Sequence, residues 1–164
     1  MRQTLRCCYA TFVVDKNVWC TMQCFELEIF ADYFQFYIQD DNESVGDLSE
    51  AWTEEAVQKK LAITDGALGI GTARNMDVHV TVNIQESKQV IDESDYDLVN
   101  EATIISNTGK LVIAGCTDYF PEATRISISV GKYIVQIGYK NLTDISEDGL
   151  DGNDRYHLWL SPCT

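Results

Sequence analysis

The sequence predicts an all-β protein: an antiparallel β-sandwich of about eight strands with one short helix near residues 54–62. Three observations predict it. Apolar residues recur at every second position through most of the chain, as in strands with one buried face. Turn-forming residues separate these runs at short spacing. One stretch alone carries a helical pattern. The 164 residues suit a single domain of ordinary size. With 45% hydrophobic residues, such a chain can bury a core without a disulfide or metal staple.

The elements follow in order. Phe25, Leu27 and Ile29 alternate with Glu26 and Glu28. Phe34, Phe36 and Ile38 alternate with Gln35 and Tyr37. Thr53 is placed to cap a helix, Glu54 and Glu55 suit its positive end, and Glu55 and Lys59 make an i,i+4 pair. Val57 and Leu61 then form its inward stripe, and Asp65-Gly66 ends it. Val78, Val80, Val82 and Ile84 give the cleanest strand. Shorter runs at Ala102–Ile105 and Leu111–Ala114 flank Asn107-Thr108-Gly109, which reads as a hairpin turn. Ile126, Ile128 and Val130, then Tyr133, Val135, Ile137 and Tyr139, are joined tightly by Gly131-Lys132. A short turn is expected over Leu142–Asp148. Tyr156, Leu158 and Leu160 form the last strand. Pro121 and Pro162 fall at strand edges or ends.

The N-terminal stretch reads differently. Arg2 and Arg6 precede the apolar run Cys7–Val14, which Asp15 and Lys16 stop. The run is at the short edge of a secretory signal, and no small-residue cleavage pattern follows. Residues 1–21 are therefore expected to be a cytoplasmic N-terminal extension of little order, with the domain over 22–164. Met22 offers a second start. No stretch is apolar enough for a membrane-spanning helix.

The charge is −14, from 26 Asp and Glu against 12 Lys and Arg. That excludes phosphate-backbone and anionic-lipid partners, whose recognition rests on Lys and Arg. Residues 39–55, 86–101 and 144–154 hold 18 of the 26 acids against one base, Lys88. The plain reading is solvated loops that confer solubility. The sharper one is an acidic rim for a basic protein, carried by Asp40, Asp41, Glu43, Asp47 and Glu50, then Asp148, Asp151 and Asp154.

Catalytic and metal signatures are weak. Of the cysteines, Cys7, Cys8, Cys20, Cys24, Cys116 and Cys163, Cys20 and Cys24 have C-x₃-C spacing, and His79 and His157 stand apart. Structural thiols are expected rather than a zinc site. Asp148–Asp154 lacks the ligand order of an EF-hand and reads as a Gly-rich turn. Gly66–Thr72 lacks the lysine of a phosphate loop, and its glycines suit a twisted strand. His79 and His157 are expected on solvent faces, so no Cys–His couple forms. No enzyme activity, cofactor or metal is expected.

A set of short motifs adds to this. Trp52-Thr53-Glu54-Glu55-Ala56 comes first, then Ala62-Ile63-Thr64-Asp65-Gly66-Ala67, then Ala73-Arg74-Asn75. Asp32-Tyr33-Phe34-Gln35-Phe36 precedes them; Gly131-Lys132-Tyr133 and Asp154-Arg155-Tyr156 follow. This order resembles the competence protein J family, over about residues 24–160 and most closely over 32–76. The resemblance implies a nuclease inhibitor. An acidic rim would then steer toward a basic DNA-binding cleft and compete with phosphate. The family motif comprises Trp52, Thr53, Glu54, Glu55, Asp65, Gly66, Arg74 and Asn75. For the last two a structural role is expected: Arg74 pairing with an acid near the helix, Asn75 closing a turn.

The leading expectation is thus a protein-binding module whose partner is a basic protein, a nuclease or toxin. A second is a small-ligand-binding sandwich with Trp52, Tyr119, His79 and Cys116 in a pocket, a third an immunity-like or self-associating domain.

Overall fold

A computed structural model describes residues 6–15, 18–42 and 45–163, and for 6–15 and 18–22 it describes the backbone alone. Glu43 lies outside the described residues. Among the described residues, eleven strands form two sheets. The strands are β1 (Arg6–Asp15), β2 (Val18–Phe30), β3 (Gln35–Asp40), β4 (Leu61–Thr64), β5 (Ala67–Gly71), β6 (Asp77–Ile84), β7 (Leu98–Ser106), β8 (Lys110–Gly115), β9 (Thr124–Ser127), β10 (Gly131–Lys140) and β11 (Arg155–Pro162), with helix α1 (Glu54–Lys59) between β3 and β4. The first sheet has the order β1-β2-β6-β11-β10-β7 and the second β4-β5-β3-β8-β9.

The alternation does what it promised. Phe25, Leu27, Ile29, Val78, Val80, Val82, Val135, Ile137, Leu158 and Leu160 from the first sheet meet Phe36, Ile38, Leu68, Ile70, Leu111 and Ile113 from the second in one buried cluster. Tyr156 sits at its centre, edge-on to Phe36 (5.8 Å) and Tyr139 (5.9 Å). Each such pair contributes about 0.5–1.5 kcal/mol beyond burial.

Four expectations need correction. Among the described residues the strands number eleven, because β1 and β4 were not read as strands and β5 was read only as a twisted stretch outside the eight. The helix stops at Lys59: Lys60 adopts φ 55° and its N–H donates to the carbonyls of Ala56 and Val57, closing the helix three residues early. Leu61 accordingly belongs to β4, Val57 points to solvent, and Asp65-Gly66 is the turn between β4 and β5 with Gly66 at φ 75°. The third concerns Asn107-Thr108-Gly109, which joins no hairpin. β7 pairs with β10 and β8 with β3 and β9, so the link passes from one sheet to the other, as does the link through Gly131. Fourth, the sandwich is antiparallel except where β11 lies parallel to β6.

Helix α1 closes the open flank between the two sheets. Thr53 Oγ1 accepts from Ala56 N (3.2 Å) at its start, and Lys59 pairs with Glu55 (2.6 Å). At its end, Asn100 of β7 donates to the Lys59 carbonyl (2.6 Å) and Tyr139 of β10 donates to the Lys60 carbonyl (2.7 Å). The first sheet thereby satisfies the carbonyls that a helix end leaves open.

Candidate protein-binding surface

Strand registers put five loops at one end of the sandwich. β2 ends and β6 begins there (Phe30 opposite Asp77), β7 begins opposite the end of β10 (Leu98 opposite Tyr139), and β11 begins beside β6 (Arg155 beside His79). The loops over residues 31–34, 72–76, 92–97, 116–123 and 141–154 therefore share this end. The opposite end carries 41–42 and the links through Gly66, Gly109 and Gly131.

The first loop is the most unusual. Tyr33 and Phe34 stand consecutively at φ 57° and φ 59°. Each aromatic in this left-handed region costs on the order of 1 kcal/mol, and the surroundings must over-determine it. They do. Tyr33 N donates to Asp32 Oδ1 (3.0 Å), Phe34 N to the Ala31 carbonyl (3.1 Å), Ala31 N to the Met76 carbonyl (3.0 Å), and Thr72 N to the Phe34 carbonyl (2.7 Å). Asn75 Oδ1 also faces Phe34 N at 3.5 Å. The result is a braced turn that holds two aromatic rings out in water, Tyr33 71% and Phe34 56% exposed.

Beside it lies a groove of about 320 Å³, lined by Tyr33, Phe34, Trp52, Val57, Lys60 and Thr72. Val57 is 59% exposed. Trp52 packs against Gly69 so closely that a Cβ there would stand 2.8 Å from the indole ring, and its buried indole N–H has no acceptor. Lys60 Nζ donates to the Thr72 carbonyl (3.4 Å) across the groove.

Arg74 ties this turn to the acidic 141–154 loop. Its Nε donates to Asp154 Oδ1 (2.6 Å), Nη1 to the Leu150 carbonyl (3.1 Å) and Nη2 to the Asp77 carbonyl (3.1 Å). Tyr156 donates to the other Asp154 oxygen (2.7 Å) and accepts from Ala73 N (2.7 Å). Burial pushes the Tyr156 phenol well above its ordinary range, so it stays a donor to the carboxylate. Arg74 is thus structural, with its acid at the start of β11 rather than near the helix.

The acids divide between surface and interior. Asp154 (0% exposed) and Asp40 (1% exposed) were expected on the rim; both are buried and face no partner. Asp40 accepts from Ser106 Oγ (3.0 Å), Thr108 Oγ1 (2.7 Å) and the N–H groups of Asn107 and Thr108, which fastens the inter-sheet link. Burial raises its pKa, but these four donors outweigh it and hold the carboxyl below the usual range. Asp41 is half-buried and paired with Arg125 (3.0 Å). Asp47, Glu50, Asp148 and Asp151 are exposed, as are Glu54, Glu55 and Asp65 of the motif. Asp148 Oδ1 also accepts from Leu150 N (3.1 Å) and shapes its own turn.

The acidic stretches do not form one rim. Asp40 and Asp41, at the end of β3, lie at the far end. The loops 92–97 and 141–154 lie together at the aromatic end, where Asp97 Oδ2 accepts from Leu142 N (2.8 Å). Nearby cations are engaged: Lys59 with Glu55, Arg74 with Asp154, and Lys140 over the Tyr96 ring at 5.8 Å. Glu93, Asp95, Asp144, Glu147, Asp148 and Asp151 are exposed at this end, and among the described residues none of them belongs to an ion pair.

The four ligand-pocket candidates do not converge. Trp52 lines the groove, His79 is exposed on the outer face of β6, and Cys116 and Tyr119 are exposed on the loop after β8. His157 is half-buried rather than solvent-facing, because Tyr96 covers it with its hydroxyl 3.0 Å from Nδ1. Burial, then Lys140 and Arg155, lower its pKa. Among the described residues, no three His, Cys, Asp or Glu side chains gather as metal ligands.

Sequence reasoning missed Tyr33 and Phe34, which it placed in a strand. The signal was a phase break: apolar positions are odd-numbered through Ile29 and even-numbered from Phe34. A strand does not change face without a turn or bulge.

No family model matches the chain, and no curated protein does. Two solved structures share its fold. ComJ from Bacillus subtilis, described as an inhibitor of the DNA-degrading activity of NucA, aligns with a TM-score of 0.62 at 16% identity, covering 95% of this chain and 99% of that one. A protein described as crocagin biosynthetic gene J aligns with a TM-score of 0.59 at 13% identity, covering 87% and 99%. The expected resemblance to the competence protein J family is thus met in three dimensions.

Proposed function

We propose that this chain is a non-catalytic protein-binding module that inhibits a DNA-degrading enzyme. Its aromatic turn seats on the enzyme while the neighbouring acids occupy the basic surface that otherwise holds phosphate. The observation that carries this reading is the braced pair Tyr33 and Phe34, exposed at the same end of the sandwich as the acidic loops 92–97 and 141–154. Aromatic anchors held rigid give affinity at low entropic cost, and surrounding charge sets encounter rate and specificity. The fold shared with ComJ over nearly the whole of both chains supports the nuclease as partner class. The charge of −14 favours the same direction, since DNA-binding clefts are basic.

The test measures DNA degradation by NucA, and by a small panel of basic nucleases, with increasing amounts of this chain. Inhibition of at least one, with binding that weakens as salt rises from about 0.01 to 0.1 M and the screening length falls from roughly 30 to 10 Å, is expected. Absence of inhibition across the panel overturns the reading; inhibition indifferent to salt removes the acids from it. The groove at Trp52 supports a second reading, a small ligand, because its volume reaches the lower end of ligand sites, about 300 Å³. Saturable binding of a small molecule that quenches Trp52 fluorescence, without nuclease inhibition, would favour that one.

A further inference from the structure

The strand register singles out one pair from the four N-terminal cysteines. β1 and β2 pair without interruption from Arg6 opposite Glu26 to Val13 opposite Trp19, and this puts Cys8 directly opposite Cys24. Cys7 stands opposite Phe25 and Cys20 opposite Phe12, so neither meets a cysteine. Directly opposed residues of antiparallel strands have Cα atoms about 4.5–5.5 Å apart, and side chains of such a pair share one face. Disulfides span Cα separations of about 4.4–6.8 Å. The backbone thus meets the distance requirement without moving.

The position matters as much as the spacing. β2 pairs with β6 from Gln23 opposite Ile84 onward, so residues 18–22 of β2 pair with β1 alone among the described strands. The β1–β2 ribbon therefore runs on past the sheet. A two-stranded ribbon is marginal in water by itself. Cys8 and Cys24 stand at its root, one position from the last pair that β6 supports.

We propose that Cys8 and Cys24 are a cross-strand redox pair whose disulfide staples the ribbon where it leaves the sheet. A small-molecule disulfide serves as oxidant. One cysteine thiolate attacks it, forming a mixed disulfide and releasing one thiolate. The other cysteine, as thiolate, attacks the protein-bound sulfur, closes the Cys8–Cys24 bond and releases the second thiolate. Two protein thiols are oxidised, and one disulfide is reduced to two thiols. A dithiol reductant reverses the exchange.

The experiment uses the full chain, incubated with oxidised glutathione and examined by intact mass and non-reducing peptide mapping. The expected result is a loss of about two daltons, for two hydrogens, retained in the Cys7→Ser/Cys20→Ser variant and absent from Cys24→Ser. Trypsin cleaves after Lys16, so the segment bearing Cys8 should stay attached to the body until dithiothreitol releases it. The proposal is overturned by a link that persists in Cys24→Ser, by failure to form one in Cys7→Ser/Cys20→Ser, or by glutathione adducts on Cys8 and Cys24 with no internal bond.

Discussion

Replacing Arg74 with methionine tests the claim that this residue holds the aromatic end together. The side chain is 6% exposed, and its acid is fully buried. Methionine retains much of the volume, so the cavity contribution is small and the loss is electrostatic. Asp154 would keep one donor, the Tyr156 hydroxyl, and the carbonyls of Leu150 and Asp77 would lose theirs. Removing one member of a buried ion pair costs about 3–5 kcal/mol, because the charge left behind is uncompensated. That is a large share of a domain's total stability, roughly 5–15 kcal/mol. Urea titration followed by tryptophan fluorescence measures it. With a slope of about 2 kcal/mol/M, the midpoint should fall by roughly 2 M. The Arg74→Met/Asp154→Asn variant should be more stable than the single one, since the stranded charge is gone while Tyr156 keeps an acceptor. A loss below about 1 kcal/mol for Arg74→Met, or a double variant no better than the single, would refute the reasoning.

Tyr33→Asn should raise stability by roughly 0.5 kcal/mol, because asparagine tolerates positive φ, while weakening nuclease binding at least tenfold; calorimetry and inhibition assays separate the two effects. Asp40→Asn should cost about 2 kcal/mol at neutral pH. Its sign with pH follows from the lowered folded pKa: the wild-type advantage is complete above the unfolded carboxyl value near ~3.9 and fades as pH falls through the folded one, so the two acid-unfolding curves should converge at low pH. Gly115→Ala should lose at least about 2 kcal/mol by chemical denaturation, since its Cβ would overlap the Phe30 carbonyl oxygen, a backbone atom with no rotamer to yield. Glu54→Lys/Glu55→Lys should slow association with a basic nuclease in stopped flow while leaving the dissociation rate nearly unchanged.

The layers and core of the fold were legible in the sequence because side-chain alternation is a local consequence of burying one face. Val78 to Ile84 shows it plainly: every second residue is apolar, and Val78, Val80 and Val82 are buried. Sheet membership was not legible. Asn107-Thr108-Gly109 has hairpin chemistry, yet the residue that directs the chain across to the other sheet is Asp40, distant in sequence. The candidate site was half legible. The Arg74–Asn75 pair could be singled out, and Asn75 faces the aromatic turn while Arg74 anchors the loop beside it. Charge density pointed equally to exposed Asp148 and buried Asp154, since composition is blind to which acid finds an arginine. Lys60, which ends the helix in a left-handed conformation, carries no sequence signal comparable to a glycine.

The place of β11 between β6 and β10 bears on how the protein is made. Chains emerge from the ribosome in order, about 5–20 residues each second. Until residues 155–162 appear, the first sheet consists of two separate halves, β1-β2-β6 and β10-β7, each with an open edge that the last strand must join. The parallel pairing of Arg155 with His79 also closes a long loop in the chain. Such late, long-range closure slows folding and leaves unpaired edges exposed during synthesis. A net charge of −14 opposes the pairing of such open edges between copies of the chain, because like-charged chains repel.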